Sequence, residues 1–455
     1  MSKLPSDPLS HALDRPLDRR RLLRAGAALA LAGVPYAALG QTSQPDVIII
    51  GAGAAGIAAA RKLAEAGISY TMIEAAHRVG GRASTDSGTF GVPVDLGANR
   101  LDFPAATPLP ALGRAAGLEV TAAPEAGRLY LGGKEARDPE YEDFVGAVRR
   151  GERAIVAAGD AGRDMPATRV MPELGPWSAS ARFVAGPFLR ARDLEDVSTV
   201  DVAHAEERGG ASVCRQGIGT LVASLATPLA VQLDTAARSV EFTSRQRVVV
   251  VTGRGSLTAR FVIVAVPPSL LAAGKLRIPQ LPARQRAAAE RIPLGIFNHI
   301  VFEWPGAPAG FLPDETIFFR TEGAQAYALR ARLAGSALYS LEVGGRFAQN
   351  VENASPQGVR AVLAEAIARE FGADAARRIG RVHSTAWGRE PLALGAMSCA
   401  LPGAGNMRRA FLEVVAGRLL FAGEHAHESL WGTVGGAWQS GERAAAQVAT
   451  LLKAP

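Results

Sequence analysis

The stretch from Asp46 to Glu74 constrains the fold more than any other part of the chain. Val47-Ile48-Ile49-Ile50 is a short β-branched run, the pattern of a buried strand. It enters Gly51-Ala52-Gly53-Ala54-Ala55-Gly56 without a break, and a helical segment follows from Ile57 to Glu65. Gly67 closes that helix, and a second strand, 69–73, ends on Glu74. This is a βαβ unit with the G-x-G-x-x-G fingerprint. Gly51 permits the tight turn, Gly53 lets the backbone approach a pyrophosphate, and Gly56 lets helix and strand pack closely. The helix N-terminus offers unpaired N–H groups and a positive dipole end to phosphates. Glu74 lies 18 residues past Gly56, near the ~20 expected for an acid that holds a ribose hydroxyl.

At 455 residues the chain exceeds one hydrophobic core, so two domains or more are expected. Its 48% hydrophobic and 20% charged content is that of a core-forming globular protein. Cys214 and Cys399 form no C-x-x-C, so neither a disulfide framework nor a zinc site is indicated, and a single bridge stays open. The net charge of +7 is uneven, with +3 inside residues 1–40. No nucleic-acid motif accompanies the rest, which reads as solvated surface rather than a nucleic-acid footprint.

Within those first 40 residues, Asp18-Arg19-Arg20-Arg21-Leu22-Leu23-Arg24 precedes a modestly apolar stretch, 25–39. The pattern resembles a twin-arginine export signal, with Asp18 where Ser or Thr is usual. Gly26, Gly33 and Pro35 make the stretch a poor membrane span, and Ala38-Leu39-Gly40 offers a small-residue cleavage site. Export of a folded, cofactor-loaded protein to the periplasm or beyond is the expectation.

Further on, His77-Arg78-Val79-Gly80-Gly81-Arg82 places a glycine pair between two arginines, suited to a loop that approaches phosphates. Val94-Asp95-Leu96-Gly97-Ala98-Asn99-Arg100 is a strand end entering a turn. Near the C-terminus stand Leu420-Phe421-Ala422-Gly423-Glu424 and Val434-Gly435-Gly436-Ala437. Together these motifs resemble the flavin-containing amine oxidase family of monoamine, polyamine and L-amino-acid oxidases. The resemblance implies an α/β fold: a Rossmann-like FAD-binding domain from discontinuous segments (45–115, 205–290 and 390–453) plus an α+β substrate domain (116–204 and 291–389). It implies cofactor contacts at Gly51, Gly53, Ala55, Gly56, Glu74, Arg82, Gly97, Ala98, Asn99, Arg100, Ala237, Trp387, Gly423, Glu424, Val434, Gly436 and Ala437.

The reaction implied is oxidation of the C–N bond of an amine or amino acid: hydride transfer to flavin, imine hydrolysis and peroxide release when dioxygen is the acceptor. Many members carry a Lys that reaches flavin N5 through water. His299 takes that place as the catalytic candidate, either holding the same water or serving as a hydrogen-bonded core histidine on a strand. Monoamine oxidases bind FAD through a Cys ten residues after an interior Trp. Counted from Trp387 that position is about Ala396, so FAD is expected to be non-covalent. The two aromatic cage positions fall on Met397 and Thr433, leaving Trp387 and Trp431 as pocket-lining or core residues. Glu424-His425-Ala426-His427-Glu428 has His-x-His spacing without a third ligand group, and no metal is expected. A carbon–carbon desaturase or porphyrinogen-type oxidase, and a flavin-binding protein without turnover, are the alternatives. No carboxylate-clamping Arg can be placed, so amines and amino acids both stand.

Overall fold

The computed structural model describes residues 44–124, 127–207, 209–244, 247–323 and 325–453. The expected export segment lies outside the described residues. Five short parallel strands form the central sheet: β1 (Val47–Ile50), β2 (Tyr70–Ile73), β3 (Val231–Gln232), β4 (Phe261–Val264) and β5 (Leu419–Phe421). Their spatial order is β3-β2-β1-β4-β5, the doubly-wound dinucleotide-binding arrangement. Val47 pairs with Tyr70 on one side and Phe261 on the other, so β1 is the hinge of the sheet. Strands more than 300 residues apart in sequence thus share one sheet, as a discontinuous cofactor domain requires.

Burial on both faces explains why β1 reads as a continuous apolar run. Val47 and Ile49 face a helical layer made of α1 (Ala54–Glu65) and α2 (Val434–Lys453), joining Ala59, Leu63, Ala444 and Val448. Ile48 and Ile50 face the other way, onto Val240, Val248 and Val250 of an antiparallel meander, 237–259. α1 starts at Ala54, three residues before the apolar periodicity becomes visible, because Gly53 already serves as its N-cap.

A second, seven-stranded mixed sheet runs in the order 382–384, 297–303, 338–344, 328–330, 316–319, 128–131 and 134–135. The helix Pro356–Phe371 covers one face through Val359, Leu363 and Ile367, against Ile300, Phe302 and Leu341. The long helix Asp138–Asp160 packs Phe144 and Ala147 with Leu129 and Ala328. A small sheet joins Leu101–Asp102, Ala211–Cys214 and Val120–Ala122. Among the described residues no helix is long and apolar enough to cross a membrane.

Candidate active site

The βα turn is built by its glycines. Gly51 sits at φ +105°, and a Cβ there would stand 2.8 Å from the Ala265 carbonyl oxygen. A Cβ on Gly56 would run into the Gly51 carbonyl. Gly53 is different: its nearest neighbour would be the Gly80 carbonyl, 3.9 Å away, and no side chain caps α1. The first-turn N–H groups of α1 are therefore left to an outside acceptor. Glu74 lies buried at the end of β2 and accepts from the Ala52 N–H at 2.7 Å and the Ala76 N–H at 2.8 Å. Thr235 N–H donates to the Glu74 carbonyl, which brings Ala237, two residues on, toward this end of the sheet.

The two arginines of the following loop part company. Arg78 folds back on its own loop, donating to the Val79 and Gly81 carbonyls. Arg82 crosses to the far end of the chain, where Nη1 donates to the Ala396 carbonyl and to Glu424 Oε1, both at 2.7 Å. Glu424 also accepts from the Ser398 hydroxyl at 2.6 Å and the Gly432 N–H at 2.8 Å. Burial pushes its carboxyl upward, but Arg82 foremost, with His425, Ser398 and Arg408, overcomes this and holds it down to about 2. Ser398 in turn accepts from Arg408, which clamps Asp201 with Nε at 2.6 Å and Nη2 at 2.8 Å. The Arg408 guanidinium lies 4.5 Å from the centre of the Trp431 ring.

A third wall faces Arg82. A Cβ on Gly97 would meet the Arg82 carbonyl and, at 3.0 Å, the Trp387 ring. Trp387 Nε1 donates to the Leu96 carbonyl at 2.7 Å. The ring of His299 is buried; its Nε2 lies 3.1 Å from the Gly97 carbonyl and its Nδ1 3.5 Å from Glu342 Oε1. Asn99 donates to the same Glu342 oxygen at 3.0 Å, and its own carbonyl accepts from Arg330. Ala98 packs with Val434 and Ala437 around Ala54 and Trp438. Gly436 packs too closely on the Leu430 carbonyl to carry a side chain, and Gly423, at φ +143°, presses on the His425 ring.

Most of the expected residues thus fall into two groups. Gly51, Gly53, Ala55, Gly56 and Glu74 form the βα turn, with Ala237 nearby, while Arg82, Gly97, Ala98, Trp387, Glu424, Val434 and Ala437 converge from both chain ends. Thr433 caps α2, accepting from the Gly436 N–H and donating to the Leu430 carbonyl. Met397 is half-buried and its carbonyl accepts from Gly295. Arg100 turns to Asp102 instead of joining the loop's inner wall. Both His299 nitrogens already face protein oxygens, so holding a water would require Nε2 to leave Gly97. His427 spends both nitrogens as well, on Gln439 and on the Ser429 and Leu430 N–H groups. Cys214 and Cys399 are separate buried free thiols, which answers the open question of a bridge. Nothing in the local sequence marks Ser398, Arg408, Asp201 or Glu342; only their meeting across the fold does.

Comparison with known proteins decides the family. The model for "Flavin containing amine oxidoreductase" matches residues 54–199 and 183–449. The chain belongs to this flavin-containing amine oxidoreductase family. Polyamine oxidase 5 of Oryza sativa subsp. japonica is 27% identical over 88% of this chain and 86% of its own length. Protein FLOWERING LOCUS D of Arabidopsis thaliana is 27% identical over 91% of this chain, which spans 56% of that longer protein. The chain spans only 30% of Lysine-specific histone demethylase 1 homolog 3 of the same plant. Cyclohexylamine oxidase from Brevibacterium oxydans shares the fold, with a TM-score of 0.76 and 22% identity over 90% of this chain and 100% of that one. A putrescine oxidase bound to putrescine gives 0.74 and 21% over 89% and 98%. The family's flavin suits the uncapped start of α1, the bare backbone at Gly53, and the acid at the end of β2.

Proposed function

We propose that this protein oxidises the C–N bond of an amine or amino acid with non-covalently bound FAD, releasing an imine that water hydrolyses. The observation that carries the reading is the 2.7 Å pair between Arg82 and Glu424, which brings the phosphate-type loop and the C-terminal segment into one site. The start of α1 and Gly53 would hold the pyrophosphate, Glu74 the ribose, and the Gly97–Ala98 turn with the start of α2 the redox ring. When bound, FAD supplies the two-electron acceptor.

The chain's own residues then have defined tasks. Trp387 fixes the Gly97 turn through Leu96, and Glu424 fixes Arg82 and the segment 396–398. Met397, Trp431 and Thr433 would lie toward the substrate, with a thioether and a helix-capping threonine where the family resemblance puts two cage rings. This favours a substrate amine held by shape rather than between two aromatic planes. The segments 45–115, 205–290 and 390–453 serve the cofactor, and 116–204 with 291–389 the substrate. Residues 1–40 direct export through the twin-arginine pathway, and dioxygen or a periplasmic acceptor removes the electrons.

The test is anaerobic bleaching of the purified yellow protein with amines, polyamines, cyclic amines and amino acids. Bleaching followed by aldehyde or ketone release, with peroxide on admitting air, supports the reading. Bleaching only with carbon–carbon substrates assigns a desaturase. Replacing Arg19 and Arg20 by Lys should leave the protein in the cytoplasm if the export segment acts as proposed.

A further inference from the structure

His299 and Glu342 sit opposite each other on neighbouring antiparallel strands, 297–303 and 338–344, in register. Both side chains are buried. Nδ1 faces the Glu342 carboxylate at 3.5 Å and Nε2 faces the Gly97 carbonyl at 3.1 Å. Neither oxygen has a proton to give when Glu342 is ionised. A neutral imidazole has one N–H and would turn its bare lone pair toward one of these oxygens; only the imidazolium donates to both. Burial pushes the Glu342 carboxyl up, but His299, Arg330 and the Asn99 amide together hold it below the usual range.

The surrounding charges agree. From the strand 328–330, Arg330 lies 3.4 Å from Asp314 and within the field of Glu342. With His299 charged, two cations balance Asp314 and Glu342; with it neutral, Arg330 alone faces the two carboxylates, of which Glu342 is buried. Asp95 faces the same group from the Gly97 turn, but burial pushes its carboxyl up, against donation from Thr85, Ile218 and Gly219. A cavity of about 30 Å³ beside the ring is lined by His299, Asn99, Arg330 and Ser340.

We propose that Glu342 is a positioning residue that keeps His299 doubly protonated, so that a fixed cation is anchored through Gly97 to the cofactor loop. The inference rests on the reading that FAD adjoins the Gly97 turn. A fixed cation there favours the more negative, reduced flavin.

Nitrogen-15 histidine labelling tests it in flavin-free and flavin-loaded protein, with the His299 signals assigned by their loss in His299→Gln. At pH 7 the wild type should show both His299 ring nitrogens protonated. Glu342→Gln should show one of the two bare, and Glu342→Asp should restore both. A neutral His299 ring in the wild type overturns the proposal, and so does a doubly protonated ring in Glu342→Gln. Should Glu342→Gln not fold, the wild-type spectrum still decides. The reduction potential of bound FAD should fall in Glu342→Gln and recover in Glu342→Asp; an unchanged potential removes the electrostatic role. A protein that takes up no flavin refutes the cofactor reading while leaving the nitrogen spectra to judge the ion pair.

Discussion

His425 is fully buried with its edge against Phe411, and neither ring nitrogen has a partner among the described residues. Burial pushes its pKa down to about 3, with Glu424 opposing and the neighbouring arginines assisting. The folded protein therefore keeps this ring neutral while the unfolded chain takes up a proton near 6.5. The contribution to stability is full above about pH 6.5 and is lost as pH falls toward 3, at roughly 1.4 kcal/mol per pH unit. His425→Phe should remove that slope, seen as urea midpoints at pH 7 and pH 5 that lie closer together than in the wild type. Glu424 works in a lower window: its folded pKa is depressed, so its contribution stands above the ordinary carboxylate value and disappears as pH falls through about 2. Arg82→Ala strands that carboxylate. The partial exposure of Arg82 to solvent places the cost at about 2 kcal/mol, below the range for a fully buried pair. FAD affinity should fall together with the urea midpoint of the flavin-free protein.

Between elements, the crossing of α1 and α2 sets how near the two chain ends come. A Cβ on Gly441 would collide with the Ala55 carbonyl, so Gly441→Ala must push α2 off α1. We expect a loss of about 1–3 kcal/mol, measured by denaturant melts, with FAD content falling alongside. The same exchange at Gly146, inside the helix Asp138–Asp160, should have the opposite sign. There a Cβ meets only the mobile tip of Arg150, at 3.3 Å, and replacing a helix-interior glycine gains about 0.5–1 kcal/mol. The contrast shows what sequence can and cannot tell. Both glycines lie in helices of plain apolar periodicity, and only the packing of a helix nearly 390 residues away separates them.

At the scale of the molecule, Asp201 and Arg408 tie the middle of the chain to its end. The pair is buried, and Asp201 also accepts from the Ala400 N–H at 2.8 Å. Asp201→Asn leaves the Arg408 guanidinium short of its counter-charge beneath Trp431 and should cost about 3–5 kcal/mol, seen as one cooperative shift rather than loss of a single element. The sequence by itself determined the βαβ unit, because the glycines of a tight turn, a doubly buried strand and a terminal acid are local requirements that admit few other residues. That the C-terminal segment returns to the same site was implied only by the family resemblance of its Gly423-Glu424 and Gly435-Gly436-Ala437 motifs, and the Arg82–Glu424 pair is the contact that joins the two stretches. Tertiary structure alone decided the rest. It turned Arg82 rather than Arg78 across the fold, spent the Thr433 hydroxyl on a helix cap, and set Glu342 against His299. These are pairings between side chains that share no period and no local spacing. Their cost of desolvation is met only when strands and helices distant in sequence bring the partner within hydrogen-bond reach.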